Sequence, residues 1–152
     1  MTGRSVVIGR DGRAKAYRPL PEAARAAALA AGISAYEHGD FFEAHELLEP
    51  AWMGTDVPAD RALLQGLIKL AAAYVHGARR NPAGIARNLE GARARLLEAE
   101  EDRLVADLPP TWLDTGALVA SIELRLADLA SHPSGPTLGP PDLPRTTTRS
   151  TQ

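Results

Sequence analysis

Gly39-Asp40-Phe41-Phe42-Glu43-Ala44-His45-Glu46-Leu47-Leu48-Glu49-Pro50-Ala51-Trp52 is the stretch that decides how this chain is read. Taken as a helix, it sets Phe41, His45, Glu49 and Trp52 at steps of four, four and three. Side chains three and four apart share a helix face, so these four form one stripe. The stripe mixes aromatic rings with an imidazole and a carboxylate, which is not how a plain core face is written. Gly39 suits the end of a preceding helix. Asp40 is placed to cap the new one, with Glu43 at capping-box spacing. Pro50 cannot donate to the Glu46 carbonyl and crowds it, so the spacing predicts a kink or break near Glu49, with Ala51-Trp52 as a last turn.

Outward from this stretch the chain reads as helices. Pro19-Leu20-Pro21 opens a first helix, about Pro21 to His38, with Ala26, Leu29, Ala30, Ile33 and Tyr36 at inward spacing. Pro58 opens a third, to about Arg79, carrying Leu63, Leu64, Leu67, Ile68, Leu70, Ala71, Tyr74 and Val75. A helix apolar on nearly all sides belongs in the centre. Its polar exceptions, Gln65, Lys69 and His76, fall with Ala72 on a stripe of their own. Asn81-Pro82 is a cap and a first-turn proline for a fourth helix to about Glu101, on Ile85, Leu89, Ala92 and Leu96, with Leu97 a further inward candidate. Leu108-Pro109-Pro110 breaks the chain before a fifth helix, about Asp114 to Ala130, on Leu118, Ile122, Leu126 and Leu129.

The ends differ. Residues 1–18 form an N-terminal arm in which Ser5 to Ile8 and Arg13 to Tyr17 flank Asp11-Gly12, an irregular segment or a hairpin. From Ser131 periodicity is lost among prolines, serines, threonines and glycines, and residues 132–152 read as a disordered tail. The architecture expected is therefore all-α: a single compact bundle of about five helices over residues 19–131.

Composition narrows the function. The 152 residues fit one domain with a real core. A formal charge of −2 supplies no global positive field. Arg79-Arg80 and the arginines of the fourth helix are balanced by Glu90, Glu98, Glu100 and Glu101, so nucleic acid is disfavoured. Cysteine is absent, which removes disulfides and thiolate metal sites. Met1 to Arg10 lack the pattern of a secretory signal. The apolar run Ala62 to Ala78 is interrupted by Gln65, Lys69 and His76 and falls short of a membrane span. A cytoplasmic protein without membrane association is the expectation. There is no nucleophile elbow and no glycine-rich phosphate loop.

His45-x-x-x-Glu49-x-x-Trp52, preceded by Gly39 to Ala44, resembles the signature of a family catalogued as domain of unknown function 309. Leu64-Gln65-Gly66-Leu67-Ile68-Lys69-Leu70-Ala71-Ala72-Ala73-Tyr74-Val75-His76 resembles that family's second block, and Asn81-Pro82-Ala83-Gly84 its next helix start. The resemblance covers about Ala35 to Leu97. It implies a compact all-α fold and, by matching position, singles out His45, Glu49, Trp52, Gln65, Gly66 and His76. It implies no activity.

The residues themselves admit two chemistries. In one, His45 and Glu49 form a buried imidazole–carboxylate pair that joins two helices, with Gln65 bonded across to it and Trp52 and Phe41 covering the core. Glu43 and Glu46 are then solvated first-turn charges, and Gly66 lets a neighbouring helix approach. In the other, Glu49 orients His45 as a base or ligand in a small-molecule or metal-dependent hydrolase. His45-Glu46-Leu47-Leu48-Glu49 lies one residue from the His-Glu-x-x-His zinc motif, and His76 is the natural third ligand. The Glu-x-x-His of di-iron bundles is absent. No cofactor is expected; a divalent metal is the one the pattern allows. The reading adopted is a binding or interaction module with a structural polar cluster, its small-molecule ligand unidentified. Self-association through the alanine-rich first helix or the fourth is open to it.

Overall fold

The computed structural model describes residues 17–76, 81–102 and 113–146, with backbone alone at 7–8, 14–15 and 102. The described residues fold as α1 (Glu22–Glu37), α2 (Phe41–Met53), α3 (Pro58–Ala73), α4 (Pro82–Asp102) and α5 (Thr115–Ser131). In the arm, Val7 pairs with Lys15 and Ile8 with Ala14 as a two-residue antiparallel ladder. The helices pack largely in chain order, α1 on α2, α2 on α3, α3 on α4 and α4 on α5. α3 is thus central, as its apolar sequence requires. Leu48, Leu70, Leu89, Leu96, Leu118 and Ile122 are fully enclosed, each burial stabilising by about 1.5–3 kcal/mol.

Two glycines set helix separations. A Cβ on Gly32 of α1 would lie 2.5 Å from Leu48 Cγ of α2, and one on Gly66 of α3 would lie 2.9 Å from Leu96 Cγ of α4. The close approach expected at Gly66 is therefore present. That at Gly32 explains why α1 buries Leu29, Gly32, Ile33 and Tyr36, while Ala26 and Ala30, expected inward, are exposed. The bare backbone that admits Leu48 centres the contact face.

Gly39 ends α1 with φ +82°. Gly39 N–H donates to the Tyr36 carbonyl and Asp40 N–H to that of Ala35, both 2.9 Å, the paired bonds of a glycine helix stop. Asp40 does occupy the cap position of α2, yet its carboxylate accepts no cap hydrogen bond. One residue has to close α1 and open α2, and its backbone serves both.

Of the kink or break expected near Glu49, the break does not occur: α2 runs unbroken to Met53 with Pro50 inside it. Pro50 is exposed, so the carbonyl it crowds faces water, while buried Leu48 and Ala51 hold the helix on either side. α3 ends at Ala73, short of Arg79, where Tyr74 and Val75 N–H close tight turns onto the Ala71 and Ala72 carbonyls. Leu97 is exposed (39%) while its neighbour Leu96 is enclosed. The Leu108-Pro109-Pro110 break lies outside the described residues.

Residues 133–146, expected to be disordered, lie against the helices. The Asp128 carboxylate of α5 accepts from the Thr137 hydroxyl and from the Thr137 and Leu138 N–H groups. Those bonds, the Thr137 hydroxyl first, hold its carboxyl below the usual range against the opposing effect of burial. The Tyr36 hydroxyl donates to the Pro141 carbonyl at 2.6 Å, and its burial raises its pKa. Leu113 bridges Arg145, and Pro141 and Leu143 are buried. Prolines restrict the unfolded chain, so ordering this segment costs less entropy than its polar composition suggests. Among the described residues no helix is long and apolar enough to cross a membrane.

Candidate functional site

α2, α3 and α4 enclose an open cleft of about 290 Å³. α2 lines it with His45, Glu49 and Trp52, α3 with Gln65, Ile68, Lys69 and Ala72, and α4 with Asn88. Of the six residues singled out in the sequence, four thus meet at one place, while Gly66 packs against Leu96 of α4. The sixth, His76, is exposed in the turn beyond α3, outside the lining. With α3 ending at Ala73, the stripe Gln65-Lys69-Ala72 does not extend to it. Phe41, the first member of the α2 stripe, turns instead to the core, its ring centroid 5.2 Å from that of Tyr36 and 5.8 Å from that of Tyr74. Burial there pushes the Tyr74 hydroxyl up to about 12.

The imidazole does not pair with Glu49. His45 Nδ1 lies 3.3 Å from Glu46 Oε1, and the two side chains are 30% and 53% exposed. Glu46, read from sequence as a solvated charge, is therefore the histidine's partner, at the cleft rim. Among the described residues, His45, Glu46 and Glu49 are the three that each bring a ligand atom within 4.8 Å of the others, the grouping a divalent ion would need. None of them is buried. Glu46 and Glu49 also face a second hollow of about 360 Å³ beside Arg18, Leu20 and Met53, so Glu49 stands on the ridge between the two. A larger hollow, about 500 Å³, lies by Phe42 and Tyr74, away from His45.

Trp52 is held from behind. Arg61, in the first turn of α3, is buried (7%) with its guanidinium carbon 4.7 Å from the centre of the indole. Arg61 Nη1 donates to the Trp52 carbonyl at 3.1 Å and to the Thr55 carbonyl at 3.0 Å. Those carbonyls lie at and beyond the end of α2, where helical acceptors lack partners. Burial lowers the Arg61 pKa, with Asp56 opposing. The signal in the sequence was an arginine inside the most apolar helix.

What distinguishes the cleft is its unspent polar capacity. Among the described residues, the side chains of Glu49, Gln65, Lys69 and Asn88 make no hydrogen bond or ion pair with the protein. The bond expected from Gln65 to His45 or Glu49 is not made. Lys69 reaches toward α4: a Cβ on Gly91 would lie 2.8 Å from Lys69 Cδ and 3.5 Å from Nζ. Asn88, absent from the sequence reading, follows Ile85 by three on the flank of the buried α4 face, a half-buried amide beside apolar neighbours.

Residues 29–88 match the model of a family described as a domain of unknown function (DUF309). That span contains every residue lining the cleft. The chain is also 40% identical, over 80 residues, to the uncharacterized protein YpuF of Bacillus subtilis (strain 168). The match takes in 53% of this chain and 43% of YpuF, so the chain spans less than half of that relative's length. No solved structure matches. Neither the family description nor the relative's name assigns an activity, and the hydrolase reading finds no support in them.

Proposed function

We propose that this helical domain binds a small polar molecule in the cleft between α2, α3 and α4. The supporting observation is the convergence of Glu49, Gln65, Lys69 and Asn88 from three helices on one open cleft, with none of their hydrogen-bonding capacity spent on the protein. Groups kept to hold a fold are bonded to it. These four are half-buried and converge on a concavity with their side-chain groups open to a ligand. Trp52, Ile68 and Ala72 supply the apolar walls that binding sites combine with a few placed polar groups. His45 stands at the rim as a further donor or acceptor. Binding, rather than hydrolysis, is the reading this arrangement carries, because it requires convergence alone and no activated nucleophile.

The test is a fragment and metabolite screen on the full chain by nuclear magnetic resonance, following the Trp52 indole N–H, assigned with Trp112→Phe, which removes the other of the two tryptophans. Binders are expected to shift Trp52, and Gln65→Leu with Asn88→Leu to abolish the shifts while the melting temperature holds. A screen in which no compound moves Trp52, or in which the double variant binds as before, rejects the proposal.

A further inference from the structure

The cleft has a direction. Its acidic end is on α2, where Glu49 stands beside His45 and Glu46. Its basic end is on α4. Lys69 originates on α3, but its stem lies along the α4 backbone at Gly91, where the absent side chain leaves room for it. Asn88 and Gly91 are three apart on α4 and so share a face, which sets the Asn88 amide beside the path of the Lys69 stem. The lysine stem thus lies against α4 at Gly91, and the Lys69 ammonium and Glu49 carboxylate make no ion pair with each other. Ile68 and Trp52 line the space with apolar surface.

Resting on the binding site proposed above, we infer that the ligand is a small zwitterion of the free amino acid class, its carboxylate toward Lys69 and Asn88 and its ammonium toward Glu49. A ligand with one charge would pair with one end only. A zwitterion pairs both at once. The cleft, about 290 Å³, is at the lower end of the roughly 300–1,000 Å³ typical of ligand sites, which suits a molecule of amino-acid size. The walls of Trp52 and Ile68 would receive an apolar side chain.

Each of the twenty amino acids, with its N-acetyl derivative (no ammonium) and its amide (no carboxylate), is titrated into the full chain by calorimetry. At least one amino acid is expected to bind, and both of its derivatives about tenfold or more weakly, the factor that losing one charged hydrogen-bond partner gives. In Lys69→Met the amide should bind as well as the parent, and in Glu49→Gln the N-acetyl form should. Gly91→Ala, which displaces the lysine stem without touching the ligand, should weaken the parent and spare the amide. Parent and derivatives binding alike, or no amino acid binding at all, overturns this inference. If the fragment screen still finds binders at Trp52, the cleft remains a ligand site of other chemistry. If that screen is empty too, the site itself is rejected.

Discussion

Gly32→Ala sets two effects of known size against each other. Replacing glycine by alanine inside a helix stabilises by about 1 kcal/mol. The new methyl, however, would lie 2.5 Å from Leu48 Cγ and 2.6 Å from its Cδ2. Carbon atoms rest about 3.5–4.0 Å apart, so the overlap is roughly 1 Å with both. Leu48 is 2% exposed and cannot swing into solvent. Such overpacking costs about 1–3 kcal/mol, and contact with two leucine carbons at once belongs at the top of that range. The net expectation is a loss of about 2 kcal/mol, or about 4–8 °C in melting temperature for a domain of this size. Gly116→Ala is the internal control: its methyl would meet only Asp114 Oδ1 at 3.7 Å, an ordinary contact, at an exposed position. It should hold or raise stability. Urea unfolding of the two variants, with the slope unchanged, reads the difference directly. Gly32→Ala as stable as the parent would show that α1 and α2 are not in the contact described.

Arg61→Met removes two charge-assisted bonds and leaves the Trp52 and Thr55 carbonyls without that donor. A loss of about 3 kcal/mol is expected in urea unfolding, with a shift in tryptophan emission; a loss under about 1 kcal/mol would show that Arg61 does not hold the end of α2. The depressed Asp128 carboxyl makes the attachment of residues 137–138 pH-dependent. Because its folded pKa lies below the unfolded value of about 3.9, its contribution is complete above that value and is lost as pH falls through the folded pKa. Amide exchange at Thr137 and Leu138 should therefore lose protection on acidification, and Asp128→Asn should lose it at neutral pH. In a zinc titration, any ion held by the domain should be lost in His45→Ala and kept in His76→Ala, since His76 is not among the three residues whose ligand atoms converge; calorimetry on both variants decides it.

The fold was legible because helix existence follows from local pattern. The proline starts at Pro58 and Pro82, the Asn81 side chain that accepts from Gly84 N–H at 3.0 Å, and the glycine stop at Gly39 all act within a few residues of themselves. What the pattern hid depends on partners distant in sequence. Ala26 and Ala30 have the same helical spacing as the buried face, and only the position of Leu48 shows which side of α1 is covered. The tail is polar in composition, yet the groups that hold it, Tyr36 and Asp128, lie on two different helices, Tyr36 105 positions from its acceptor. At the site, the periods of α2 and α3 found His45, Glu49, Trp52 and Gln65. They missed Asn88, because no local rule ties α4 to that face, and they put His76 on a helix that had already ended.

The residues that hold the bundle and the residues that line its cleft are different sets, and that separation bears on function. Gly66 and Leu96 fix how closely α3 and α4 approach, and Arg61 fixes the end of α2 beneath Trp52. Both contacts are buried, and both set the cleft's dimensions without presenting a group to it. Glu49, Gln65, Lys69 and Asn88 present groups and hold nothing. Lys69 is the clearest case: it lies along α4 over Gly91 rather than turning back to the acids of α2. Its placement keeps the two charges apart, and a molecule bearing both complementary charges would bridge them.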